Sequence, residues 1–195
     1  MARAAGPADV PAVCACLASA FHEDPLWGHW AFPDRATRLV ELPQLMRFWV
    51  LGALPHGWVR IGGHAETVAV WLPPGAQELS GAEQAEFEAF IARALGQRAP
   101  ELIELFAGFE QHHPSDAPHY YLSLWGTHRD SAGRGLGTEL IEQCLADIDE
   151  QHMPAYLEST NPVNVPRYEA LGFAAVGRFW APHGPAIASM WREAR

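Results

Sequence analysis

The stretch "HYYLSLWGTHRDSAGRGLGTELIEQC" (residues 119–144) constrains the fold more than any other. An alternating, aromatic-rich run reads as a β-strand. It passes into a loop carrying Gly133, Gly135 and Gly137, and then directly into an amphipathic helix. A loop that opens a helix aims unpaired backbone N–H groups outward, together with the positive end of the helix dipole. Glycines let the backbone approach a ligand closely and take positive φ, and Arg134 adds a permanent charge. The segment is therefore built to receive an anion. The dinucleotide fingerprint G-x-G-x-x-G would need glycine at 138 or 140, which are Thr138 and Leu140. The phosphate loop of nucleotide hydrolases would need a lysine that is absent. The remaining possibilities are another anionic cofactor or plain turn chemistry.

The rest of the chain alternates in the same manner. Val10, Val13, Cys14, Leu17 and Phe21 form one helical stripe, which ends before Pro25. Residues 34–54 read as helical, with Pro43 as a break or a new first turn. "GWVRIGG" and "ETVAVWLPPG" read as a β-hairpin over 58–61 and 67–72. Ser80 and Glu83 have capping-box spacing, opening a helix to about residue 95. A second helix spans about 100–111. After the glycine loop, a helix spans about 135–150. Strand-like "PAYLEST", a short helix in "NPVNVPRYEALGF" and strands "AAVGRFW" and "AIASMWRE" complete the chain. The class is mixed α/β (α+β), and 195 residues suit a single domain over 1–195.

A formal charge of −10 speaks against a nucleic-acid partner and suits either a cationic small molecule or solubility alone. Three cysteines in no framework read as buried thiols. Ten histidines show no zinc spacing, so no metal is expected. No signal segment or membrane span is visible, and a soluble, cytoplasmic protein without membrane partners is expected. The oligomeric state is open between monomer and homodimer.

"GRGLG" resembles the acetyl-CoA loop of the GNAT N-acetyltransferases, [QR]-x-x-G-x-[GA], with Gly135 and Gly137 at the two small positions and Ala132 where the family has Gln or Arg. "AYLESTNPVNVPRYEALGF" resembles the family's later motif of strand, Asn-containing loop, Tyr-bearing helix and Leu-Gly-Phe. Within the family the likeness is to puromycin N-acetyltransferase-like members, through "SAFHEDP", "VAVW", "NVPRYEALGF" and "GPAIASMWR". It is firmest over 120–192.

The resemblance implies a GNAT-type central sheet, mostly antiparallel and twisted, with splayed middle strands and helices on both faces. It implies acetyl-CoA as acyl donor and direct transfer to an amine of a small molecule, an antibiotic-like amine among the candidates. A protein or peptide amine, or a non-catalytic CoA-binding domain, are the alternatives. It implies cofactor contacts from Trp125, Gly126 and Thr127, from Gly133, Arg134, Gly135, Leu136, Gly137 and Thr138, and from Asn161 or Asn164. Tyr168 is expected at the cofactor and as the acid that protonates the departing thiolate. Glu158 is the expected general base, with Glu23, Asp24 and His119 as alternatives. Glu23, Asp24, Trp27, Trp30 and His119 are expected around the acceptor.

Overall fold

The computed structural model describes residues 2–79 and 81–195; the Ser80 cap lies outside the described residues. The elements are β1 (Arg3–Ala4), α1 (Val10–Ala20), α2 (Arg35–Ala53), β2 (Val59–Gly62), β3 (Thr67–Leu72), α3 (Gly81–Leu95), α4 (Ala99–His112), β4 (Tyr120–Thr127), α5 (Leu136–Asp149), β5 (Ala155–Ser159), α6 (Val165–Ala170), β6 (Ala174–Trp180) and β7 (Ala186–Arg192). The strands form one sheet of order β1-β2-β3-β4-β5-β7-β6, antiparallel except for the β4/β5 pair. This is the mixed α/β, mostly antiparallel arrangement expected. No described helix is long and apolar enough to cross a membrane.

The sheet carries a core on each face, and β3 shows why. Period-2 alternation sends Val68, Val70 and Leu72 to one side and Ala69 and Trp71 to the other, and all are buried. The first core takes the apolar sides of α1, α2, α3 and α4, with Trp27, Trp49 and Phe106 among its rings. The second takes Leu140, Ile141, Cys144 and Ile148 of α5, with Tyr168 and Phe173. The three thiols are all buried and free; burial pushes Cys14 and Cys16 to about 11 and Cys144 to about 12.

Two departures from the sequence reading have local causes. Pro43 does not break α2, which is continuous over Arg35–Ala53. A proline ring presses on the carbonyl four residues back, which is that of Leu39. Leu39 and Val40 are more than half exposed, and the Gln44 side-chain amide donates to the Val40 carbonyl over 3.1 Å. The disturbed backbone groups thus sit on the wet side of the helix, where partners are at hand. The second departure is residues 25–30, which the sequence reading left between two helices with no element of their own. They form a π-helical turn, Pro25–Trp30, capped by Asp24.

One irregularity governs the centre of the sheet. The β3/β4 register skips Ser123: Val70 pairs with Leu124 and Trp71 with Leu122. Such a bulge inserts one residue and reverses the side-chain alternation beyond it. Leu122 consequently packs in the second core and Leu124 in the first, although both are two-apart residues of one strand. On the opposite edge, β4 pairs with β5 only over Tyr120, Tyr121 and Leu122. From Ser123 onward β4 has no strand partner on that side among the described residues, and there Glu158 and Ser159 pair with β7 alone. The middle strands splay at the bulge.

Candidate active site

The glycine loop lies at the open end of this splay. After Thr127, residues Arg129–Ser131 make one 3-10 turn, and α5 starts from Gly135. Gly133 and Gly135 hold φ of +78° and +80°, a conformation costly for other residues, and space beside both is open. Gly137 serves differently. A Cβ there would stand 2.7 Å from Thr127 Oγ1, so glycine lets the α5 N-terminus press onto β4. No described side chain caps α5, and its first residues, Leu136, Gly137 and Thr138, line a cleft with their amides left without helical partners.

That cleft is about 360 Å³ and is lined by Trp125, Gly126, Thr127, Gly133, Gly135, Leu136, Gly137 and Thr138 from the strand, loop and helix. Asn161, Asn164 and Arg167 close it from the other side. The Asn161 carboxamide is occupied as a cap, accepting from the Val163 amide over 3.1 Å. Asn164 makes no side-chain hydrogen bond among the described residues and faces the cleft. Arg134 does not line it; it turns outward to Glu66, 3.5 Å away. The cation that does line it is Arg167, which lies over the Trp125 ring at 5.7 Å. Sequence reading missed Arg167 because an arginine beside the motif tyrosine carries no spacing signal of its own.

A second cavity of about 170 Å³ adjoins the cleft, sharing Trp125, Asn161 and Asn164. Tyr168 stands in its wall, only 9% exposed, between the rings of Trp125 and Phe173. The residue is fixed by the end of α6. Phe173 N–H reaches the Tyr168 carbonyl over 3.1 Å and Gly172 N–H the Glu169 carbonyl over 3.0 Å, with Gly172 at φ +94°. This is a Schellman closure, the physical content of the Leu-Gly-Phe signature. Burial raises the Tyr168 phenol well above its ordinary range, and the charge of Asp24 adds to this, against Arg167.

Glu23, Asp24, Trp27 and Glu158 line the same inner cavity. The Glu23 side chain is 74% exposed at the rim and pairs with His29 over 2.9 Å. Asp24 is buried; burial raises its carboxyl, while the Trp27 amide, Thr160 and the Leu26 amide hold it down. Glu158 is the deepest: its side chain is 2% exposed, and neither carboxylate oxygen has a hydrogen-bond partner among the described residues.

Two expected acceptor residues lie elsewhere. The Trp30 indole donates to the Pro182 carbonyl over 3.0 Å beneath Arg98, packed on the turn before β7. His119 bonds the Ala117 carbonyl through Nδ1 at 2.8 Å and His113 through Nε2 at 3.0 Å, and neither residue lines the inner cavity. A carboxylate that sequence reading did not single out, Glu78, lines neither the cleft nor the inner cavity but shares a third space with Glu158.

The arrangement fits a nucleoside diphosphate carrying a narrow arm. The cleft offers unpaired amides rather than a cationic cage, the unpartnered edge of β4 runs from it toward Tyr168, and the buried Trp125 indole N–H has no acceptor among the described residues. Residues 65–173, more than half of the chain, match the family model for the acetyltransferase (GNAT) family, and the chain belongs to that family. It is an acyltransferase, and the acyl donor of the family is acetyl-CoA.

Solved structures share the whole architecture. A histone acetyltransferase HPA2 and related acetyltransferase from Corynebacterium glutamicum matches at 21% identity and TM-score 0.71, covering 100% of this chain and 96% of that one. Arylalkylamine N-acetyltransferase 2 from Aedes aegypti matches at 14% and 0.66, covering 100% and 99%. The Drosophila melanogaster polyamine N-acetyltransferase matches at 15% and 0.63, covering 99% of each chain.

Proposed function

We propose that the protein transfers an acetyl group from acetyl-CoA to an amine of a small molecule, directly and within a ternary complex. The observation that carries this reading is the continuity of the two cavities at Trp125, Asn161 and Asn164, with Tyr168 in the wall where they meet. Acetyl-CoA supplies its acetyl group as a thioester, whose sulfur needs a proton on departure. The amides at the start of α5 and around Gly133 and Gly135 hold the diphosphate, with Arg167 as the nearby cation. Asn164 rather than Asn161 is free to bind the arm. The backbone edge of residues 125–127 that faces away from β3, left without a strand partner by the splay, supplies donors for charge growing on the acyl oxygen.

Tyr168 holds the proton for sulfur. Its raised pKa keeps the phenol protonated at neutral pH, which is the form an acid must have. The acceptor enters the inner cavity past Glu23 and meets Trp27 and Glu158. Small enclosed space favours a small amine, and neighbours of this fold act on agmatine, polyamines and arylalkylamines. The test is direct: calorimetry with CoA, then thiol release from acetyl-CoA over a panel of small amines, aminonucleoside antibiotics and peptide N-termini. Micromolar CoA binding with turnover confined to small amines supports the reading. Absence of CoA affinity defeats it.

A further inference from the structure

The inner cavity continues past Glu158 into a third space of about 40 Å³, sharing Trp27, Ser123, Glu158 and Thr160 with it. Its walls are aromatic, with Trp27 stacked on Phe109 at 6.0 Å and 9°, and Trp49 edge-on to Trp27 at 5.1 Å. Two carboxylates face this apolar box. Glu158 arrives from β5 with both oxygens buried and without a well-formed hydrogen bond among the described residues, beside the Tyr121 and Tyr156 phenols. Glu78 arrives from the loop after β3, and its backbone reaches α2 only because residue 52 is glycine: a Cβ there would strike the Glu78 carbonyl. The Ser123 hydroxyl, presented by the bulge, donates to Glu78 Oε1 over 2.6 Å.

Two carboxylates in a shared aromatic recess cannot both stay charged and unpaired; the site calls for a proton or a cation. The nearest cation, His113, stands 3.8 Å from Glu158 Oε1 and is charged only when protonated. We propose that Glu78 and Glu158 act as a pair on the acceptor: Glu158 is the fixed anion that holds its ammonium, and Glu78 is the base that takes its proton. The recess admits an ammonium on a slender arm, and its rings suit an apolar or aromatic arm through cation–π and stacking contact. The acceptor class is a primary alkylamine with an apolar or aromatic body. This rests on the acetyl-transfer reading above.

The protons balance. The ammonium gives its first proton to the Glu78 carboxylate, which passes it to water. The neutral nitrogen bonds to the acyl carbon as the carbon–sulfur bond breaks, and the sulfur takes the Tyr168 proton. The second proton lost by nitrogen restores the phenol. Burial pushes the Glu78 carboxyl up to about 7; the Ser123 hydrogen bond, His113 and Trp49 oppose this, and the charge of Glu158 adds to it. A base poised there works at neutral pH. The ionisable groups facing it are Glu158 on β5, Tyr121 on β4 and His113 after α4.

The experiment compares wild type, Glu78→Gln and Ser123→Ala with 2-phenylethylamine as the probe. Three readouts are taken: CoA affinity, kcat and KM from pH 5.5 to 9, and the carbon-13 NMR titration of the Glu78 carboxyl with and without the amine. In wild type, kcat falls below about pH 7 and the amine lowers the Glu78 midpoint. Glu78→Gln lowers kcat about 100-fold, removes the acid limb and keeps CoA affinity within about twofold. Ser123→Ala moves the limb to higher pH. A Glu78→Gln protein with kcat within about twofold of wild type and the limb intact overturns the pair, as does an amine that leaves the midpoint unmoved. Wild type without CoA affinity or turnover sinks the acetyl-transfer reading instead, while the NMR midpoint still decides the pair.

Discussion

Thr160 Oγ1 donates to Asp24 Oδ2 over 2.9 Å, while Asp24 Oδ1 accepts from the amides of Leu26 and Trp27 at 2.9 Å each. One buried carboxylate therefore caps the π-helical turn that carries Trp27 and ties that turn to the loop after β5. Both walls of the inner cavity hang on it. Sequence alone suggested Asp24 as an ammonium partner; its oxygens are engaged in holding the cavity together.

Thr160→Val should leave Asp24 with a buried, unmet oxygen and lower stability by about 1–3 kcal/mol. The wall displaced is the acceptor's. We expect KM for amines to rise severalfold with CoA affinity unchanged, read by steady-state kinetics beside calorimetry. A larger loss for CoA than for amine contradicts this account of the tie.

Tyr168→Phe keeps the ring packed on Trp125 and Phe173 and removes only a hydroxyl that makes no hydrogen bond among the described residues. Stability should hold within about 0.5 kcal/mol. Turnover should fall roughly 10- to 100-fold, the range of a single proton donor, with CoA binding nearly intact. Undiminished turnover removes Tyr168 from the chemistry.

Gly137→Ala forces a methyl to 2.7 Å from Thr127 Oγ1, and α5 must back away from β4. The amides that hold the diphosphate retreat with it. CoA affinity should drop about tenfold, equal to about 1.4 kcal/mol, by calorimetry. Gly135→Ala meets no neighbour but must hold φ +80°, so its effect should appear as about 1–2 kcal/mol of lost stability instead.

The Glu78 carboxyl titrates near 7 in the folded chain against an ordinary 4.5. Between those values the folded state keeps a proton that the unfolded state has lost. Stability contributed by this group is therefore lost as pH rises from about 4.5 to about 7, and stays level above. Glu78→Gln should be more stable than wild type at pH 8, by roughly 3 kcal/mol, and the gap should close toward pH 4.5. Urea titrations at both pH values check the sign.

What could be read from residues alone follows from where the physics is local. The glycine loop was legible because positive φ at Gly133 and Gly135 leaves a mark in composition. The end of α6 was legible because its closure needs a glycine followed by an apolar residue. β3 announced itself through a run rich in β-branched and aromatic residues, ended by Pro73-Pro74. Glu78 was not legible: it sits in "PPGAQELS", and its position depends on Gly52 and Ser123, 26 and 45 residues away. Asn161 and Asn164 were indistinguishable by spacing; only the hydrogen bond to Val163 separates them. Trp30 carries the same aromatic signal as Trp27, but a turn at 181–184 claims it.

The extra residue in β4 makes that strand two panels hinged at Ser123. Tyr121 and Leu124 look toward the aromatic recess, while Leu122 and Trp125 look toward the helix bearing Tyr168. Deleting Ser123 would close β3 and β4 into a regular ladder, with Leu122 still against Trp71 and Leu124 still against Val70, and would leave Glu78 with no hydroxyl. The hydroxyl that meets Glu78 is thus supplied by the one residue between Tyr121 and Thr127 that faces no residue of β3, and chains that shorten β4 here must partner that carboxylate by other means.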